Sequence, residues 1–109
     1  MGAEFLTERL DGNRNKENVK KYIIDLIKEF RDTNSSDEYY DGYSGNWGEV
    51  EIGCMFEDKI FDSEEECYEY ISNNAVKWEK PLAVRYKDKD GRIFWLIGAW
   101  ASCWENKIF

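Results

Sequence analysis

Residues 81–100 read PLAVRYKDKDGRIFWLIGAW. Pro81 halts whatever precedes it, two apolar-rich runs follow, and Asp90-Gly91 stands between them as a turn pair. The stretch therefore predicts a β-hairpin of strands over 82–87 and 92–100. A two-residue loop would pair Val84 with Ile97 and a four-residue loop would pair Val84 with Trp95, so parity is the same either way. That parity puts Leu82, Val84, Tyr86, Ile93, Trp95, Ile97 and Ala99 on a core face. The opposite face then carries Ala83, Arg85, Lys87, Phe94, Leu96, Gly98 and Trp100. Phe94, Leu96 and Trp100 are too apolar to face water together and call for a cover. The aromatic loop over 32–47, a C-terminal strand over 103–109 or a partner could supply it.

Reading backwards from Pro81, Ser63 followed by Glu66 is a capping-box pattern. It opens a helix whose inward stripe is Cys67, Tyr70, Ile71, Ala75 and Trp78. A strand is expected over 49–55, where charged residues alternate with Val50, Ile52 and Cys54. Upstream, Val19, Tyr22, Ile23, Leu26, Ile27 and Phe30 recur at helical spacing. They predict an amphipathic helix over 16–31 with Asn15 as its cap. A first strand is expected over 3–10, ended by Asp11-Gly12. The order β-α-β-α-β-β predicts an α+β fold, a small mainly antiparallel sheet with both helices packed on one face. At 109 residues, one domain over 1–109 accounts for the chain.

Acidic residues number 23 against 15 basic ones, for a net charge of −8. The excess is local: residues 32–71 hold thirteen acids against Lys59 alone, while the segments on either side carry slightly more bases than acids. An acidic chain repels phosphate backbones, which argues against nucleic-acid binding by an overall basic surface. Aromatic residues make up 17% of the chain, which argues against a disordered acidic tail. The chain has no His, so the usual neutral-pH base and the commonest metal ligand are missing. Cys54, Cys67 and Cys103 are odd in number, widely spaced and in apolar surroundings, which reads as reduced core thiols. Asp37-Glu38-Tyr39-Tyr40-Asp41-Gly42 echoes the start of a calcium loop but has Tyr39 at its third position and Gly48 at its twelfth. Neither a phosphate-binding Gly-rich loop nor a nucleophile elbow is present. The chain is accordingly expected to have no catalytic residues, metal or cofactor. Met1-Gly2-Ala3-Glu4 lacks a basic region followed by an apolar stretch, and the longest apolar run, 93–101, is too short for a membrane span. A cytoplasmic protein is expected.

Several short stretches resemble a family of small, uncharacterised proteins from phages and mobile elements of Gram-positive bacteria. They are Met1-Gly2-Ala3-Glu4, Tyr40-Asp41-Gly42-Tyr43-Ser44-Gly45, Lys77-Trp78, Pro81-Leu82-Ala83-Val84 and Trp95-Leu96-Ile97-Gly98-Ala99-Trp100. The resemblance implies a bacterial host cell and a role as an accessory protein. Anti-CRISPR proteins, many of them small and acidic, are similar in size and charge. The resulting expectation is an inhibitor that places an acidic, Tyr-rich surface in the basic nucleic-acid groove of a host nuclease complex. Asp37, Glu38, Tyr40, Asp41, Tyr43, Trp47, Glu49 and Glu51 would face the partner, the carboxylates standing in for phosphates and the aromatics meeting Arg side chains. Two alternatives stand beside it. One is a nucleotide or single-stranded nucleic-acid module that stacks bases on Phe94 and Trp100 while Arg85 and Lys87 meet phosphates. The other is a homodimer that buries Phe94, Leu96 and Trp100.

Overall fold

The computed structural model describes residues 2–36, 47–75 and 79–103. The elements are β1 (Gly2–Asp11), α1 (Lys16–Ser36), a 3-10 turn (Trp47–Glu49), β2 (Met55–Phe61), α2 (Glu64–Asn74), β3 (Leu82–Lys87) and β4 (Ile93–Cys103). The fold is α+β, with one sheet in the order β1-β4-β3-β2. The β1–β4 and β4–β3 pairs are antiparallel and the β3–β2 pair is parallel, so the sheet is mixed but mostly antiparallel.

Both helices start where the sequence places their caps. The Asn15 side-chain oxygen accepts the Asn18 N–H at 2.8 Å, closing the open donor end of α1. The Ser63 hydroxyl accepts the Glu66 N–H at 3.2 Å at the start of α2. Val19, Ile23 and Ile27 are fully buried along one stripe of α1, and Cys67 and Ile71 are fully buried on α2. Helix α1 runs to Ser36, past the expected end at Arg31. Arg31 instead ties the returning chain to the helix: its Nε donates to the Gly48 carbonyl at 3.1 Å and a terminal nitrogen donates to the Val50 carbonyl at 2.7 Å.

That clamp helps explain why no strand forms over 49–55. Carbonyls that accept from Arg31 are withdrawn from a ladder, and Gly53 has a φ of 138°, which an ordinary strand residue does not adopt. Val50 still turns inward and is fully buried. The chain becomes a strand at Met55, and β2 lies at the sheet edge with a register shift between Phe56 and Ile60.

The hairpin forms with a register that neither expected loop length gives. Lys87 pairs with Ile93 and Val84 with Leu96, so the connection is the odd-length segment 88–92. Asp88 builds it. Its carboxylate accepts the N–H groups of Asp90 and Arg92, both at 2.9 Å, and Gly91 takes a φ of 81°. One residue of slip swaps the faces of β4 relative to β3. Leu82, Val84 and Tyr86 therefore share a face with Phe94, Leu96 and Trp100. Ala83 and Arg85 share the other with Trp95, Ile97 and Ala99.

The slip also corrects the layer arrangement: the helices lie on opposite faces of the sheet, not on one. Val19, Ile23 and Ile27 of α1 form one core with Leu10, Trp47, Val50, Ala83, Trp95, Ile97 and Ala99. Cys67 and Ile71 of α2 form a second core with Leu82, Val84, Tyr86 and Leu96. Helix α2 is thus the cover that Leu96 and Trp100 required, and the Trp100 indole N–H donates to the Ser72 carbonyl at 2.9 Å. The approach is close. A Cβ on Gly98 would lie 2.6 Å from Ile71 Cγ2 and 2.7 Å from Phe5 Cζ.

Candidate functional site: an acidic flank and a basic crevice

Because β1, β2 and β3 all run the same way, their carboxyl ends lie at one end of the sheet, where α1 and α2 begin. Open sheets with crossover helices commonly place ligands outside that end. Among the described residues, two crevices beside the hairpin open there. One, of about 370 Å³, lies between the β1–α1 turn and the β3–β4 hairpin and is lined by Asp11, Gly12, Asn13, Arg85, Arg92, Ile93 and Phe94. The other, of about 420 Å³, is lined by Asp62, Ser63, Glu64 and Glu65 on the α2 side and by residues 87–90 of the hairpin.

Local packing positions the walls of the first crevice. Gly12 donates its N–H to the Ile93 carbonyl at 3.0 Å, and a Cβ there would lie 2.3 Å from that oxygen, so the turn rests directly on β4. Asp11 accepts the Asn13 N–H at 2.9 Å. The Arg85 guanidinium lies 5.1 Å from the centre of the Trp95 ring, and Arg92 lies 5.5 Å from that of Phe94. On the α2 face, burial pushes the Tyr86 hydroxyl pKa up, opposed by the guanidinium of Arg9 beside it.

The second feature is electrostatic. Glu51, Asp58, Asp62, Glu64, Glu65, Glu66 and Glu69 are all exposed, on or beside edge strand β2 and along α2. Lys59, the lone base of the acidic segment, lies 5.2 Å and 5.4 Å from the ring centres of Phe61 and Tyr70. Asp58 pairs with Lys16 at 2.8 Å, and that hydrogen bond lowers its pKa. Ile60 and Tyr68 are the large apolar side chains exposed on this part of the molecule, at 42% and 46%.

The eight partner-facing candidates fare differently. Asp37, Glu38, Tyr40, Asp41 and Tyr43 lie outside the described residues, as does the Glu49 side chain. Glu51 is exposed, as expected. Trp47 is not on the surface. It is 5% exposed and belongs to the core under α1, because the Arg31 clamp draws the 3-10 turn inward. The open sheet face of the alternative reading is also corrected. Arg85 and Lys87 lie on one face, Phe94 and Trp100 on the other, and α2 covers the latter. The sequence reading missed that Asn13 and Arg92 line a crevice because both sit in turns, and its hairpin parity put Arg85 on the face of Phe94 instead of that of Trp95.

Burial raises the thiol pKa of Cys67 to about 12, with a further push from Glu64. Burial likewise raises Cys54 to about 12, against a smaller opposing pull from Lys20. Neither is poised as a nucleophile. Iodoacetamide at neutral pH is expected to label Cys67 in the native protein at least about a hundred-fold more slowly than in the unfolded chain. Peptide mass mapping reads this directly, and equal labelling in both states would contradict the burial.

Among the described residues, no group of His, Cys, Asp and Glu could hold a metal ion, and no helix is long and apolar enough to cross a membrane. No family model matches the chain, and neither curated proteins nor solved structures give a significant match.

Proposed function

We propose that this chain is a non-catalytic interaction protein that sets an acidic surface against a basic groove of a partner protein. The sequence resemblance to accessory proteins of phages and mobile elements makes the nucleic-acid channel of a host nuclease complex the expected partner, in the manner of an anti-CRISPR inhibitor. The observation that carries the reading is the segregation of charge. Nine acids against Lys59 alone fall within residues 47–71, and seven of those acids are exposed on β2, α2 and the segments beside them. Such a concentration of exposed negative charge would steer the protein towards cationic grooves and away from nucleic acid itself. Asp37, Glu38, Tyr40, Asp41 and Tyr43 are proposed to act with these acids. Tyr68 and Ile60 offer the apolar contacts that charge alone does not provide.

The test is inhibition of target-DNA binding by a panel of purified CRISPR effector complexes, at low and raised salt. Inhibition should weaken as salt rises. Two charge-reversal variants divide the surface: Asp37, Glu38 and Asp41 to Lys in one, and Glu51, Asp62 and Glu69 to Lys in the other. Each is expected to weaken inhibition at least about tenfold with the circular dichroism spectrum unchanged. Full inhibition by both variants, or none by the wild-type chain against any complex, would refute the proposal.

A further inference from the structure

The two edges of the sheet are built differently. Strand β2 closes one side with a register shift between Phe56 and Ile60, and Glu57, Asp58 and Lys59 fall in the shifted stretch. Irregularity and charge of this kind keep an edge from pairing with another chain. Strand β1 closes the other side without the irregularity. It runs over Gly2–Asp11 and pairs with β4 residue for residue, from Gly2 opposite Cys103 to Asp11 opposite Phe94. It contains neither Pro nor Lys. Among the described residues no strand lies beyond it. Alternate N–H and C=O groups along β1 therefore point away from the sheet, and a long regular edge of this kind is a template for a further strand.

Packing and charge both favour approach at this edge. The buried contacts of α1 and α2 centre on β3 and β4, and Glu4, Thr7 and Arg9 of β1 are exposed. The acids of β2 lie at the far edge of the sheet, so two acidic chains that meet at β1 keep those charges apart.

We infer that β1 pairs with β1 of a second copy of this chain, antiparallel and centred on Thr7. A two-fold axis normal to the sheet keeps like faces together, so one residue must stand opposite itself. Centring on Glu4, Glu8 or Arg9 would set that charge against its own copy, and centring on Leu6 would set Glu4 against Glu8. Like charges directly opposite one another destabilise a strand pair. Centres nearer the strand ends join only a few residues. Phe5 and Thr7 remain, and neither opposes like charges. The Thr7 register joins residues 3–11 of each copy, against 2–8 for Phe5. It sets Phe5 opposite Arg9, Leu6 opposite Glu8 and Thr7 opposite Thr7, a pairing that supports strand association. The two four-stranded sheets then become one, with a β2 edge at either end. This inference does not rest on the inhibitor reading.

The test is sedimentation velocity of the full chain over a range of concentrations. The wild-type chain is expected to be dimeric at about 100 μM. Thr7 is exposed, so Thr7→Lys and Thr7→Glu should each keep the melting temperature of the monomer within about 5 °C of wild type. Each should weaken dimerisation at least about fivefold by setting like charges across the axis. An equimolar mixture of the two variants should recover the wild-type dimer, because Lys then faces Glu. That recovery is specific to the Thr7 register, since centring on Phe5 would set residue 7 opposite Ala3. The Glu51, Asp62 and Glu69 reversal should leave dimerisation within about twofold, so the inhibitor reading and this one fail separately. A wild-type chain that stays monomeric at about 100 μM, whatever fills the edge, overturns the inference. Dimerisation untouched by both Thr7 variants, or lost in both without recovery on mixing, overturns it as well.

Discussion

Replacing Gly98 with valine is expected to lower stability by about 3 kcal/mol or more, near the upper end for an overpacked core. Gly98 sits in β4 on the face that α2 covers, flanked by Ile71 from the helix and Phe5 from β1. Carbon atoms pack comfortably at about 3.5–4.0 Å, whereas a Cβ at this position would lie 2.6 Å from Ile71. Ile71 is fully buried and Phe5 packs against its core cluster, so retreat would separate α2 from the sheet. Separation would wet Leu82, Val84 and Leu96, which are all buried beneath it. For a domain of this size the change amounts to a fall of about 12–24 °C in melting temperature, out of a total stability of about 5–15 kcal/mol. Circular dichroism melts measure it. Gly98→Ala should fall in the same direction by less, and Gly98→Ala combined with Ile71→Ala should lose less than the sum of the two single changes. A wild-type melt for Gly98→Val would show that α2 does not rest on the β4 backbone.

The same glycine shows what was legible in the sequence. Local chemistry placed the Asn15 and Ser63 caps, the buried stripe of α1, Cys67 and Ile71 of α2 and the turn around Gly91 where they are found. The alternation over 49–55, by contrast, gave no strand, α2 ends at Asn74 before Ala75, and Trp78 lies outside the described residues. The faces of β4 turned on one residue of loop length. Asp88 decided that length by receiving two N–H groups through its side chain. Alternation along a strand shows that two faces exist without showing which residues of the neighbouring strand share them. Once the register slipped, Phe94, Leu96 and Trp100 ceased to be a surface in search of a partner and became the bed of α2. Trp47 moved the opposite way. Its neighbours are acidic and aromatic, as an interaction loop would be, and only the long-range contact of Arg31 with Gly48 and Val50 places it in the core. For the sites, composition showed the acidic excess of residues 32–71 because charge survives without knowledge of the fold. The crevice was invisible because Asn13, Arg85 and Arg92 come from a turn, a strand and a hairpin that meet only in three dimensions.

The second large effect is expected at Trp95. The residue is 2% exposed, stands in the α1-side core and meets Phe56 edge-on with ring centres 5.7 Å apart. Its indole N–H donates to the Arg14 carbonyl at 2.9 Å, fastening the turn before α1 to the middle of the sheet. Trp95→Ala removes the ring, the hydrogen bond and the surface on which Arg85 rests. Losses on truncating a buried tryptophan run to about 3–5 kcal/mol, a fall of about 12–40 °C in melting temperature here. Trp95→Phe separates these contributions. It retains most of the apolar volume and a weaker aromatic face, and gives up the hydrogen bond, which is worth about 1 kcal/mol net. A melting point within about 10 °C of wild type is expected for it. Trp95→Ala melting within a few degrees of wild type would contradict the core assignment.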